Sequence, residues 1–176
     1  GTPLSGYYAA RFTEGVLDPI YVNAVAFSDD KKKMILLSID ICYITTEQAD
    51  EYRKIVAEYC NIPKEAVFLT CTHTHTGPMI GKDFASELRG LPVYDEYLGI
   101  QMRDAASYAL ADLDDSEFFE ASGEVKNISF IRRYRMKDGS VQTNPRVGDE
   151  NIDHALGEPD ETLTLLKIKR KNLDDI

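Results

Sequence analysis

The chain has 176 residues, 43% of them hydrophobic, with 20 Lys and Arg against 30 Asp and Glu, a formal charge of −10 and a pI near 4.8. That length and apolar content suffice for one α/β-sized domain with a real core. The acidic balance repels phosphate backbones and anionic membrane surfaces, so no nucleic-acid partner is expected, and no apolar run approaches the ~20 residues of a membrane helix.

Residues 1–20 interleave Pro3, Gly6, Gly15 and Pro19 with aromatics, which predicts an irregular lead-in lying over the body. Tyr21 to Phe27 alternates as a strand, Ser28-Asp29-Asp30-Lys31 is a turn, and Met34 to Ile41 reads as a second strand, apolar and buried on both faces. The two form a central hairpin. Asp40 stands near the end of that strand, where a carboxylate is costly unless hydrogen-bonded. It either caps a neighbouring loop or orients a histidine.

Thr45-Thr46-Glu47-Gln48 is a capping box with Thr45 as N-cap, and Ala49, Tyr52, Val56 and Tyr59 follow at helical spacing. Asn61 and Pro63 stop that helix near Cys60. Ala66 to Leu69 is then a short buried strand, so strand, helix and strand make a right-handed parallel crossover beside Met34 to Ile41.

That third strand runs into Thr70-Cys71-Thr72-His73-Thr74-His75-Thr76-Gly77-Pro78, which holds two of the three histidines. In an extended segment side chains alternate, so His73 and His75 should point to one side. Neutral imidazole suits zinc, and such a pair can share an ion or divide the work, one ring binding it while the other moves a proton. The other reading is a structural or solvent-facing pair. Gly77 lets the backbone pass close to a ligand and Pro78 ends the strand.

Met79, Ile80, Phe84, Leu88 and Leu91 belong to a following loop, either packed beneath it or rimming a substrate groove. A second helix is expected from about Tyr94 to Leu113, with Leu98, Met102, Ala105, Ala109 and Leu113 on one face. From Glu117 to Phe130 the pattern is strand-like again. Asp138-Gly139 marks a hairpin turn after Arg132-Arg133-Tyr134-Arg135, whose arginines are either an exposed charged strand or a guanidinium facing a polar substrate group. Residues 142–161 read as one long loop carrying His154 as an exposed histidine, and Thr162 to Lys169 is a last strand.

Cys42, Cys60 and Cys71 are an odd number without Cys-x-x-Cys spacing, which predicts buried reduced thiols rather than a disulfide framework or thiolate metal site. The chain starts without Met and without a charged, apolar leader, and a soluble protein is expected. Phosphate-cradling glycine motifs are absent, which argues against nucleotide binding. The fold class is therefore α/β, a mixed β-sheet flanked by two main helices.

With these residues laid out, the chain resembles the N-terminal part of the neutral/alkaline, non-lysosomal ceramidase family, in particular its bacterial ceramidase-like members. The resemblance rests on Gly6-Tyr7, Gly15-Val16, Asn23-Ala24-Val25 and Asp40, on Thr72 to Pro78, and on Arg132 to Gly139 with Thr143-Asn144-Pro145. It implies a larger hydrolase domain that cleaves the amide bond of ceramide or a related N-acyl lipid at a Zn2+ ion. His73 matches the metal-binding histidine, His75 the one that contacts substrate, and Arg132 a substrate-contacting arginine, while a family-typical Asn is Ile131 here. The resemblance places the second zinc histidine and the glutamate, tyrosine and serine of the site beyond Ile176. The 176-residue chain alone is therefore expected to be inactive, with an empty or adventitious metal position. Two other readings stay open: another metallohydrolase acting on an ester or phosphoester, and a non-catalytic binding domain. A dinuclear metallo-β-lactamase-type centre is disfavoured, because no Asp-x-His-x-x-Asp-like sequence follows.

Overall fold

Helix formation starts where the capping box places it. In the computed structural model, which describes residues 1–7, 9–29, 31–81 and 89–172, helix α1 spans Thr46–Cys60. The Thr45 hydroxyl accepts the Gln48 backbone amide at 3.3 Å, and the Gln48 side-chain Oε1 accepts the Thr45 backbone amide at 2.9 Å. Asn61 closes the helix in the left-handed region, φ 54°, one of the few non-glycine residues that enters it readily. Phe84, Leu88, Asp30 and residues 173–176, to which the sequence assigns loop, turn or tail roles, lie outside the described residues.

The chain forms two compact units, Gly1–Leu113 and Asp114–Ile176. In the first, strand β1 (Val22–Ser28) pairs antiparallel with β2 (Lys33–Ile39), and β2 pairs parallel with β3 (Val67–Cys71). The sheet order is β1-β2-β3, and α1 makes the expected crossover. Helix α2 spans Pro92–Ala111, starting two residues before the predicted Tyr94 because Pro92 sits in the first turn, where its missing N–H costs nothing.

Both helices cover one face of the sheet. Ile35, Leu37 and Ile39 are fully buried there against Tyr52 and Val56 of α1 and Leu98, Met102 and Ala106 of α2. Each such aliphatic side chain contributes about 1.5–3 kcal/mol by leaving water. Gly99 lets the helices approach, since a Cβ there would stand 3.1 Å from Ile55 Cδ1. The expectation that β2 is buried on both faces is corrected: Met34, Leu36 and Phe68 on the opposite face are 37%, 40% and 49% exposed. Apolar residues on both sides of a strand do not by themselves bring a second layer.

In the second unit, β4 (Ser116–Glu124) pairs antiparallel with β8 (Thr162–Arg170), and β5 (Arg133–Met136) lies between β6 (Val141–Thr143) and β7 (Ile152–Ala155). The Asp138-Gly139 hairpin forms as expected: Gly139 takes φ 84° and Asp138 Oδ1 accepts the Ser140 amide at 2.9 Å. The single long loop of residues 142–161 is corrected, because β7 lies within it and pairs Arg135 with His154. Four mostly exposed residues held by backbone bonds leave little hydrophobic pattern to read.

The described architecture is thus α/β: the first unit has two principal helices and a mixed parallel and antiparallel sheet, and the second has two purely antiparallel sheets. No described helix is long and apolar enough to cross a membrane.

Candidate functional site

Parallel pairing sets the ends of β2 and β3 side by side, in register from Ile35 and Val67 to Ile39 and Cys71. The segments leaving those ends, Asp40-Ile41-Cys42 and Thr72-His73, therefore run together. Backbone bonds continue past the strands: the Thr72 amide donates to the Ile39 carbonyl at 3.0 Å and the His73 amide to the Ile41 carbonyl at 3.1 Å.

His73 then leaves the extended conformation, with φ 62°. The alternation argument for a shared side is thus overturned in its premise, since β3 ends at Cys71. The two rings nevertheless meet. His73 Nε2 and His75 Nε2 are 3.5 Å apart, with ring centroids at 5.0 Å and planes at 78°. A side chain other than glycine in the left-handed region costs roughly 1–3 kcal/mol and persists where its surroundings hold it.

What holds the His73 ring is the Cys42 main chain. His73 Nδ1 lies 2.8 Å from the Cys42 carbonyl oxygen. A carbonyl only accepts, so in the neutral ring Nδ1 carries the proton and Nε2 presents its lone pair. A backbone carbonyl on the second ring nitrogen is the usual support of a metal-binding histidine.

The sequence predicts Cys42 to be a buried reduced thiol; it is buried and outside any disulfide, and its Sγ lies 3.6 Å from His73 Nδ1. One donor atom each from Cys42, His73 and His75 lie within 4.8 Å of one another, a set that could hold a metal ion. The sulfur is near Nδ1, the nitrogen already committed to the carbonyl. Two nitrogens on one tetrahedral zinc stand about 3.3 Å apart at ordinary bond lengths, so the span between the Nε2 atoms fits a shared ion as well as a single N–H to N hydrogen bond. The residues present fit a metal through their imidazoles.

Asp40 does not turn to a histidine. Its Oδ2 accepts the Tyr21 amide at 2.9 Å, and its own amide donates to the Tyr21 carbonyl at 3.0 Å, so it caps the entry to β1. Its carbonyl faces the turn after the histidines, where a Cβ on Gly77 would come within 2.8 Å. Thr74 Oγ1 accepts the Thr76 amide at 3.3 Å and tightens that turn.

The irregular lead-in reaches the same place. Pro3 accepts the Met79 amide at 2.9 Å, and Leu4 bridges to Pro78. Tyr7 meets the His75 ring edge to face at 5.6 Å, and the Arg11 guanidinium lies 4.4 Å from the centre of the Tyr7 ring. Sequence reasoning missed Cys42, Gly6 and Tyr7 as neighbours of the histidines. The parallel register could have supplied Cys42, which lies three positions beyond Ile39, the partner of Cys71.

Arg132 belongs to the second unit. It is exposed, its carbonyl accepts the Asn144 amide at 2.8 Å and its guanidinium lies 5.7 Å from the Phe130 ring centre. Arg135 Nη1 donates to the Gly139 carbonyl at 2.8 Å. His154, on β7, pairs with Asp153 at 3.0 Å and is exposed, as expected, though on a strand.

No family model matches the chain, and no curated protein matches it. Among solved structures, the α/β fold is similar to that of a protein described as a ceramidase complexed with C2. The TM-score is 0.53 at 19% identity, over 82% of this chain and 22% of the other. The chain thus has a distant ceramidase-like fold and spans about a fifth of the length of that relative.

Proposed function

We propose that this chain carries part of the active centre of a zinc-dependent hydrolase that cleaves the N-acyl amide bond of ceramide or a related lipid-like amide. The observation that carries the reading is the imidazole pair: two Nε2 atoms 3.5 Å apart at the end of parallel strands, one ring with its tautomer set by the Cys42 carbonyl. The distant ceramidase-like fold supports the choice of bond.

Zinc, when bound, lowers the pKa of its water to about 7 and polarises a carbonyl. His73 offers Nε2 to the ion, and the Cys42 carbonyl keeps its proton on Nδ1. His75, with Nε2 next to that nitrogen, contacts the reacting group and takes or returns a proton. As water adds to the acyl carbon and the C–N bond breaks, the amine leaves with a proton and the acyl group as a carboxylate. For Arg132, in the second unit, a substrate contact is proposed on the sequence resemblance alone.

The test is an assay of the full-length protein on ceramide, short N-acyl amides, esters and phosphodiesters. Amide cleavage that falls by at least about 10²-fold in His73→Ala and His75→Ala is the expected result. Activity confined to esters or phosphodiesters would move the reading to another metallohydrolase, and full amidase activity in His73→Ala would end it.

A further inference from the structure

We infer that Gly6 is a positioning residue: its bare Cα is the seat on which the His75 ring rests, fixing His75 Nε2 beside His73 Nε2. The inference rests on the reading that the two imidazoles work as a pair. Gly6 has φ 83°, and a Cβ built on it would lie 2.7 Å from His75 Cε1, 2.7 Å from Nδ1 and 2.9 Å from Nε2. Contacts that short do not occur, so a methyl group there must move either the glycine or the ring.

The glycine is tied down. Ser5 before it is buried, Leu4 donates to the Arg11 carbonyl at 2.9 Å, Thr13 to the Thr2 carbonyl at 2.9 Å, and Met79 to the Pro3 carbonyl at 2.9 Å. The lead-in is a closed loop tied to the segment at Pro78-Met79. The ring is the part that yields. It is held otherwise by contacts along its edges, to Tyr7 and to His73. Turning it off its seat separates the two Nε2 atoms, and productive geometry at such sites tolerates only about 0.5 Å. A segment whose sequence predicts only an irregular lead-in lying over the body is a wall of the site.

The experiment compares the protein with Gly6→Ala, Gly148→Ala, His75→Ala and the Gly6→Ala/His75→Ala double variant. Gly148 has φ 75° and open space around its Cα, so it reports backbone strain without a ring contact. Nuclear Overhauser contacts are read between Gly6 Hα and His75 Hε1, and between the rings of His73 and His75. The expected result is both contacts in the wild type and in Gly148→Ala, and loss of the ring-to-ring contact in Gly6→Ala. Thermal unfolding provides the second arm: Gly6→Ala should lower Tm by less when His75 is already Ala than in the wild type, because the group it strikes is gone. An intact ring-to-ring contact in Gly6→Ala, absence of the Gly6 to His75 contact in the wild type, or an equal loss of Tm in both backgrounds would overturn the inference. Neither arm uses metal or substrate, so failure of the hydrolase reading leaves this result standing.

Discussion

Replacing His73 by alanine and by glycine should give stabilities in the reverse of their usual order. Both variants lose the hydrogen bond from Nδ1 to the Cys42 carbonyl, about 1 kcal/mol, so that loss cancels in the comparison. Alanine keeps a side chain at φ 62°, where strain costs roughly 1–3 kcal/mol. Glycine relieves it but loses about 0.4–1 kcal/mol through its freer unfolded chain. His73→Gly should therefore be more stable than His73→Ala by roughly 0.5–2 kcal/mol, a difference in Tm of a few degrees for a chain of this size, at about 2–4 °C per kcal/mol. Urea denaturation followed by circular dichroism suits a protein without tryptophan. Zinc binding should be lost equally in both variants, which separates the conformational cost of the position from the chemistry of its ring. Alanine equal to or more stable than glycine would refute the claim that His73 is held in a strained conformation.

Asp40→Ala should cost about 1–2 kcal/mol in chemical denaturation, because the Tyr21 amide loses its acceptor, with zinc binding at His73 unchanged; a parallel loss of zinc would tie Asp40 to the histidines after all. Cys42→Ser should leave zinc affinity within about threefold, since the backbone carbonyl that sets the His73 tautomer is retained, and a loss greater than about tenfold would put the thiolate among the ligands. Burial pushes the Asp95 carboxyl above its ordinary 3.8, with Glu51 adding to the shift and the Gly81 backbone and Tyr52 opposing it. Asp95 Oδ1 also has no hydrogen-bond partner among the described residues. The folded protein therefore holds that proton more tightly than the unfolded chain, and this group's contribution to stability is full below 3.8 and falls as pH rises past its folded value. The stability of Asp95→Asn relative to wild type should rise with pH through that window; a flat difference between pH 3 and 7 would refute the assignment.

Much of the first unit was legible because local chemistry and tertiary structure agree. Thr45 and Gln48 announce the start of α1, Asn61 and Pro63 its end, and the short apolar runs around Leu36 and Leu69 are the strands that α1 joins. The histidines were legible as residues leaving a strand. Their convergence was not, since His73 turns into the left-handed region and no spacing rule announces that in a histidine. Burial was also misread: Met34, Leu36 and Phe68 share the hydrophobicity of Ile35, Leu37 and Val67, and only the side on which the helices pack separates them. Cys42 and Gly6 lay beyond pattern reading for a similar reason. One takes its place from the register of two strands, the other from the absence of a side chain against a ring 69 positions away. Strand β7 escaped because its four residues are held by backbone pairing to β5 and bury little.

The account turns on His73 meeting a metal through Nε2 while its Nδ1 proton stays on the Cys42 carbonyl. Long-range 1H–15N correlation spectra of the histidine rings of the full-length protein, recorded as zinc is added, read both nitrogens at once. The account predicts that His73 Nε2 moves to the shift of a metal-bound nitrogen while Nδ1 keeps that of a protonated one. Zinc arriving at Nδ1, or a His73 ring indifferent to zinc at saturating concentration, would contradict it.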